Sequence, residues 1–160
     1  MELTLPDEAA TLAAGAALAR GLPDLAAHQL LLGLSGELGS GKTTLARALL
    51  RALGVTGTIR SPTFTLVEPY ETRAGPVHHL DLYRLKPGGT ELEALGYRDL
   101  RAQPGLVIVE WPERAGAALG PVDLALALEH RAEGRGLRAV AATDAGRQWL
   151  AALSPFAVSS

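Results

Sequence analysis

Residues 30–53 read LLLGLSGELGSGKTTLARALLRAL, and this stretch decides the fold. Leu30, Leu31, Leu32 and Leu34 form an apolar run of strand type, and Gly36 to Thr43 then match G-x-x-x-x-G-K-[ST]. Leu45, Leu49 and Leu53 follow at every fourth position, as one face of a helix does. Strand, glycine loop and helix, in that order, is the arrangement a phosphate-binding loop needs. Glycine makes up only about 7% of average sequences. A decorative turn accounts for the glycines here but not for Gly-Lys-Thr at a helix start.

A phosphate chain must be wrapped by backbone N–H groups, which requires positive φ angles and a close approach that side chains would block. Gly36, Gly39 and Gly41 are expected to supply both. The helix turns its positive end toward the phosphates, Lys42 can reach the β and γ oxygens, and the Thr43 hydroxyl can ligate Mg²⁺. The expected contacts along the loop are Glu37, Leu38, Gly39, Ser40, Gly41, Lys42, Thr43 and Thr44.

The 160 residues suffice for one domain with a substantial core. With 48% hydrophobic and 4% aromatic residues, that core is expected to be aliphatic and the chain is not of the disordered class. The lack of cysteine removes disulfides and thiolate metal sites. Glu2, Asp7 and Glu8 stand where a targeting segment carries basic charge, and no apolar stretch reaches the length of a membrane span. A cytoplasmic location without membrane attachment is expected. The formal net charge is -2, with 13 Arg and two Lys scattered without a basic run. This argues against a direct grip on long nucleic acid, because phosphate neutralisation dominates such binding.

Glu2 to Leu5 is expected as a short strand, and Pro6-Asp7-Glu8 as the capped start of a helix running toward Arg20. Strand candidates follow at 63–67, 77–85, 106–111, 122–128 and 137–142, with Gly or Pro between them. A short helical stretch is expected near 91–95 and a closing helix at 144–153. The fold class is therefore α/β: a single P-loop NTPase domain over residues 1–153, three-layered, with a mixed, mainly parallel central sheet and antiparallel C-terminal strands. Residues 154–160 are expected as a flexible tail.

Absences narrow the choice of nucleotide machine. The chain has no Asn, hence no Asn-Lys-x-Asp guanine reader, and no Asp-x-x-Gly switch, which disfavours a GTPase. A carboxylate at the end of a buried strand beside the loop is expected to hold Mg²⁺ directly or through water. In GLVIVEWPER, Leu106 to Val109 form the apolar run and Glu110 ends it. In VHHLDLYRL, alternation puts His79, Asp81 and Tyr83 on one face. Asp81 can orient water or hold hydrated Mg²⁺, or it can pair structurally with Arg84 or Arg60. His78 and His79 lack a third ligand at a recognisable spacing, which speaks against a metal site there. In GTIRSPTFTLVEPY, Ser61 and Thr63 can form a switch segment that feels a γ-phosphate, or a half-buried strand with its hydroxyls outward.

Taken in order, GELGSGKTT, SPTFTLVEPY, HLDLYRL, ELEALGYRD and VEWPER resemble the TsaE family of P-loop ATPases, over roughly residues 2–150. The resemblance implies an ATPase that takes part in threonylcarbamoyladenosine modification of tRNA with two partner proteins, TsaB and TsaD. TsaD performs the transfer, and tRNA is met only indirectly. The implied catalytic set is Lys42, Asp81 and Glu110. Thr43, Glu110 and Asp81 serve the metal, and Thr11 and Trp111 join the ATP contacts. Ser61 and Thr63 form the switch-like segment, able to shift the surface around Phe64. The implied cofactors are ATP and Mg²⁺, and the free protein is expected as a monomer. Leu119-Gly-Pro121 replaces the family's usual Leu-Pro, and the end beyond Leu153 lacks a family pattern. A small-molecule kinase, with Arg84, Arg98 or Arg101 on a lid, and a non-catalytic nucleotide switch are the competing readings.

Overall fold

The strand that ends in Glu110 is buried at every position from Gly105 onward. A strand can be apolar on both faces only where helices cover both, and this sets the architecture. The computed structural model describes residues 1–63, 65–87 and 90–158. Its strands are β1 (Glu2–Leu5), β2 (Gln29–Ser35), β3 (Val67–Thr72), β4 (Gly75–Asp81), β5 (Gly105–Glu110), β6 (Leu124–His130) and β7 (Arg135–Ala141). The helices are α1 (Glu8–Arg20), α2 (Lys42–Ala52), α3 (Tyr97–Arg101) and α4 (Asp144–Leu150). One seven-stranded sheet runs β1-β7-β6-β2-β5-β4-β3. β2 pairs in parallel with both β5 and β6, and β4 with β5. Antiparallel pairs flank this centre: β1 with β7, β6 with β7, and a β3–β4 hairpin at the far edge. The three-layer α/β fold with a mixed sheet is as expected.

Leu30, Leu32 and Leu34 of β2 meet Leu45 and Leu49 of α2 and Leu18 of α1 on one face. Leu31, Val107 and Val109 meet Leu92, Tyr97 and Leu119 on the other. The helix face read from Leu45, Leu49 and Leu53 is the buried one, each being at most 2% exposed. Burying each such side chain contributes roughly 1.5–3 kcal/mol. Helix α1 starts where the Asp7 side chain accepts from Ala10 N at 2.8 Å, an N-cap. It packs against α2 at Gly15, where a Cβ would lie 2.4 Å from Ala48 Cβ. Trp149 Nε1 donates to the Leu18 carbonyl at 2.8 Å, satisfying an acceptor in the last turn of α1. Asp123 joins distant parts of the sheet: Oδ2 accepts from Leu31 N at 2.8 Å and Oδ1 from Thr143 Oγ1 at 2.7 Å. Among the described residues no helix is long and apolar enough to cross a membrane.

Several expected elements move. Of the strand expected at 63–67, the described residues Thr63, Thr65 and Leu66 are not in a strand, and pairing starts at Val67. Leu66 has φ 65° and its N–H bonds Pro62 O at 2.8 Å, so the chain turns before pairing begins at Val67. β4 ends at Asp81 instead of continuing to 85, because Asp81 Oδ1 accepts the Tyr83 N–H at 3.0 Å and closes an Asx turn. β3 is a strand despite Pro69, which the sheet edge tolerates. The closing helix becomes 3-10 over Ala151–Phe156. Near the C-terminal end Ala157 bridges Leu3, and Val158 N donates to Glu2 O at 3.1 Å. Ser159 and Ser160 lie outside the described residues.

Candidate functional site

β2 leaves the centre of the sheet between two parallel neighbours that connect in opposite directions, and such a point opens a crevice at the strand ends. The glycine loop fills its floor. Gly36, Gly39 and Gly41 have φ of 136°, 75° and 108°, the conformations for which glycine was expected. A Cβ on Gly36 would lie 2.3 Å from Leu128 O, and one on Gly41 would lie 2.7 Å from Arg135 Nη1. Gly41 caps α2, so the first-turn N–H groups of that helix face the crevice.

Lys42 is 4% exposed. Its Nζ donates to Gly36 O at 2.7 Å and Glu37 O at 2.8 Å, with Ser40 Oγ at 3.5 Å. It also lies 4.4 Å from the centroid of the Trp111 ring, a cation–π contact. Burial lowers the Lys42 ammonium from its ordinary 10.5, opposed by the charges of Glu110, Asp81 and Glu113. Trp111 adopts φ 58° directly after β5, which turns its ring over the loop and within 5.0 Å of Tyr83.

The first turn of α2 and the end of β5 meet where Thr43 Oγ1 donates to Glu110 Oε1 at 2.8 Å. The other oxygen, Oε2, is 2.6 Å from His79 Nε2. Asp81 is the register partner of Glu110 across the parallel β4–β5 pair and is 6% exposed. Burial pushes its carboxyl above the usual 3.8; the Tyr83 N–H opposes this and Glu110 adds to it. Ser61 Oγ and Thr63 Oγ1 are 2.8 Å apart at the rim. The carbonyl of Leu66, at the exit of that segment, accepts the Asp81 N–H at 3.1 Å. Phe64 lies outside the described residues.

These groups enclose a cavity of about 200 Å³ that takes in Leu38, Gly39, Gly41, Lys42, Thr43 and Thr44 from the loop, Ser61 and Thr63, and Asp81, Glu110 and Trp111. That is small beside the roughly 300 Å³ at which small-molecule pockets begin. Hydroxyl and carboxylate oxygens at Thr43, Glu110 and Asp81 suit a hard cation such as Mg²⁺. Among the described residues no group of three or more His, Cys, Asp or Glu could hold a metal ion.

Three of the residues expected as ATP contacts do not line this cavity. Glu37 is exposed and contributes its carbonyl to Lys42, and Ser40 is buried behind the loop. Thr11 is wholly buried in α1 and does not line the cavity. Its Oγ1 accepts from Arg135 Nη1 at 3.2 Å, and Arg135 is the lining residue. Arg135 was not singled out in the sequence: it opens β7, and only the antiparallel return of that strand brings it beside Gly41. Arg98 and Arg101, imagined on a kinase lid, border a separate groove with Leu119 and Pro121.

The family model for threonylcarbamoyl adenosine biosynthesis protein TsaE matches residues 5–139. A tRNA threonylcarbamoyladenosine biosynthesis protein TsaE from Haemophilus influenzae is 34% identical over 151 residues, covering 94% of this chain and 95% of the relative. The Synechocystis protein of the same description is 45% identical over 119 residues, 71% of each chain. The crystal structure of YdiB from Bacillus subtilis superposes with a TM-score of 0.75 at 22% identity, covering 97% of this chain and 94% of that one, a likeness of fold.

Proposed function

Since this chain belongs to the TsaE family of tRNA threonylcarbamoyladenosine biosynthesis proteins, we propose that it is a Mg²⁺-dependent ATPase, slow alone, that acts on a TsaB–TsaD complex and enables repeated rounds of modification. The observation that carries this reading is the 2.8 Å bond between Thr43 and Glu110 beneath the glycine loop. Hydroxyl and carboxylate are held together where a phosphate-bound cation needs both.

The loop N–H groups bind the phosphate chain, and Lys42 exchanges the Gly36 and Glu37 carbonyls for β and γ oxygens. Hydrogen bonds between ionised partners are roughly twice as strong as neutral ones, so the exchange is favourable. Mg²⁺ would supply neutralisation of the phosphate charge, and Thr43 and Glu110 are the residues that would hold it. Asp81 orients the attacking water and accepts its proton, a task suited to a carboxyl whose proton affinity burial has raised. Ser61 and Thr63 respond to the γ-phosphate, and the same segment is tied to Asp81 where Leu66 N bonds Pro62 O and Leu66 O accepts the Asp81 N–H. A chain of net charge -2 with scattered arginines is suited to a protein contact more than to gripping tRNA. The free chain is then a cytoplasmic monomer that meets tRNA only through its partners.

The test is reconstitution of the modification with purified TsaB, TsaD, tRNA and ATP over repeated turnovers, comparing the native chain with Glu110→Ala. The expected result is loss of repeated modification with partner binding retained. Full multiple-turnover activity with Glu110→Ala, or with the chain omitted, would contradict the proposal.

A further inference from the structure

We infer that His79 is a positioning residue of the phosphate site, holding the Glu110 carboxylate in the orientation that serves Thr43. The inference rests on reading the cavity as a Mg²⁺-nucleotide site.

Glu110 is 1% exposed, and a buried carboxylate needs a donor at each oxygen. One donor is the Thr43 hydroxyl at Oε1, 2.8 Å away. The other is His79 at Oε2, 2.6 Å away. The carboxylate can only accept, so Nε2 carries the proton of this bond. The terminal torsion of a glutamate is broad and soft, so a single donor would let the carboxylate turn. Donors from α2 on one side and β4 on the other fix it.

The ring is wholly buried, and its Nδ1 has no hydrogen-bond partner among the described residues. An apolar side chain would fill the same space without leaving a polar atom unpaired, so packing alone does not account for histidine here. The position follows from the sheet: His79 pairs with Ile108 and Asp81 with Glu110 in the parallel register. The imidazole thus reaches diagonally across to Glu110 from the same face that presents Asp81 to the cavity. When the Thr43 oxygen faces a cation, its hydrogen must remain on Glu110, and His79 keeps the acceptor in place. His79 therefore sets the metal requirement of nucleotide binding and not the affinity of the loop for phosphates.

The test uses the full chain with a fluorescent ATP analogue, mant-ATP, and follows anisotropy in EDTA and across Mg²⁺ concentrations. His79→Gln can place an amide N–H close to where Nε2 lies, and His79→Asn is one methylene too short. Losing an outer partner of a metal ligand typically costs about 10–100-fold in metal affinity. The expected result is that both variants bind in EDTA within about twofold of the native chain, that Gln keeps the Mg²⁺ midpoint within about threefold, and that Asn raises it about tenfold or more. Equal midpoints for Gln and Asn would overturn the inference. If Asn fails to fold, Gln still decides: a native-like midpoint supports the inference, and a shift of about tenfold overturns it. Absence of Mg²⁺-dependent binding by the native chain would instead defeat the reading of the site, and the inference with it.

Discussion

The Lys42 ammonium is held against the Trp111 ring, 4.4 Å from its centroid, while it donates to two carbonyls of its own loop. A bound phosphate chain must draw Lys42 off both, so the surroundings of Trp111 change on binding. The chain has two tryptophans, and Trp149 is wholly buried against α1. ATP is expected to change the tryptophan emission of the native chain and of Trp149→Phe, and to leave that of Trp111→Phe unchanged. A response that survives in Trp111→Phe would place the signal away from the loop.

Binding and chemistry are expected to separate in the carboxylate variants. In the proposed function the loop backbone supplies much of the phosphate affinity, whereas Glu110 and Asp81 act on the cation and the water. Glu110→Ala and Asp81→Ala should lower hydrolysis by about a hundredfold or more. Their mant-ATP affinity in EDTA should stay within a few fold. Equal losses in both measurements would mean that the carboxylates shape the loop instead.

Asp81→Asn is expected to stabilise the metal-free protein while abolishing turnover. The folded carboxyl titrates above 3.8, its unfolded value. Between those two values the folded chain holds a proton that the unfolded chain has lost, so stability falls as pH rises through that window and stays lower at neutral pH. The asparagine cannot ionise, and its amide oxygen can still accept from Tyr83 N. Thermal melts in EDTA at pH 7 should show the variant above the native chain by a few degrees, about 2–4 °C per kcal/mol at this size. The gap should close toward pH 4. A variant that melts below the native chain at pH 7 contradicts the sign.

Asp123→Ala tests the sheet instead of the site. It removes acceptors for Leu31 N and for Thr143 Oγ1, which caps α4 by accepting from Gly146 N at 3.0 Å. The buried Leu31 N–H is left unpaired, at a cost of about 1–3 kcal/mol. A urea midpoint lowered by that free energy divided by an unchanged slope is the expected outcome, and mant-ATP affinity should be retained. An unchanged midpoint would remove Asp123 from the account of stability.

What was legible in the sequence is what backbone geometry demands locally. Gly36, Gly39 and Gly41 are needed for their positive φ, Lys42 and Thr43 for the helix start, and Glu110 for the end of an all-apolar strand. The turn at Leu66 was misread as a strand because a leucine at φ 65° gives no glycine signal. Trp111, also at positive φ, hides its turn in the same way. Arg135, His79 and Asp123 owe their roles to partners 124, 31 and 92 residues away in the chain. Residue types and spacing carry no trace of those contacts, and the same holds for Thr11, which meets the cavity only through Arg135.

The most direct measurement is phosphate release by the purified chain given ATP, with Mg²⁺ or EDTA, beside Lys42→Ala and with GTP as the competing nucleotide. In the proposed function Lys42 is the charge that meets the β and γ oxygens, and phosphoryl-transfer catalysis rests almost entirely on positioning and electrostatics. The account predicts slow release from ATP that requires Mg²⁺, is lost in Lys42→Ala and is favoured over GTP. Release that continues unchanged in Lys42→Ala, or that is indifferent to Mg²⁺, would contradict it.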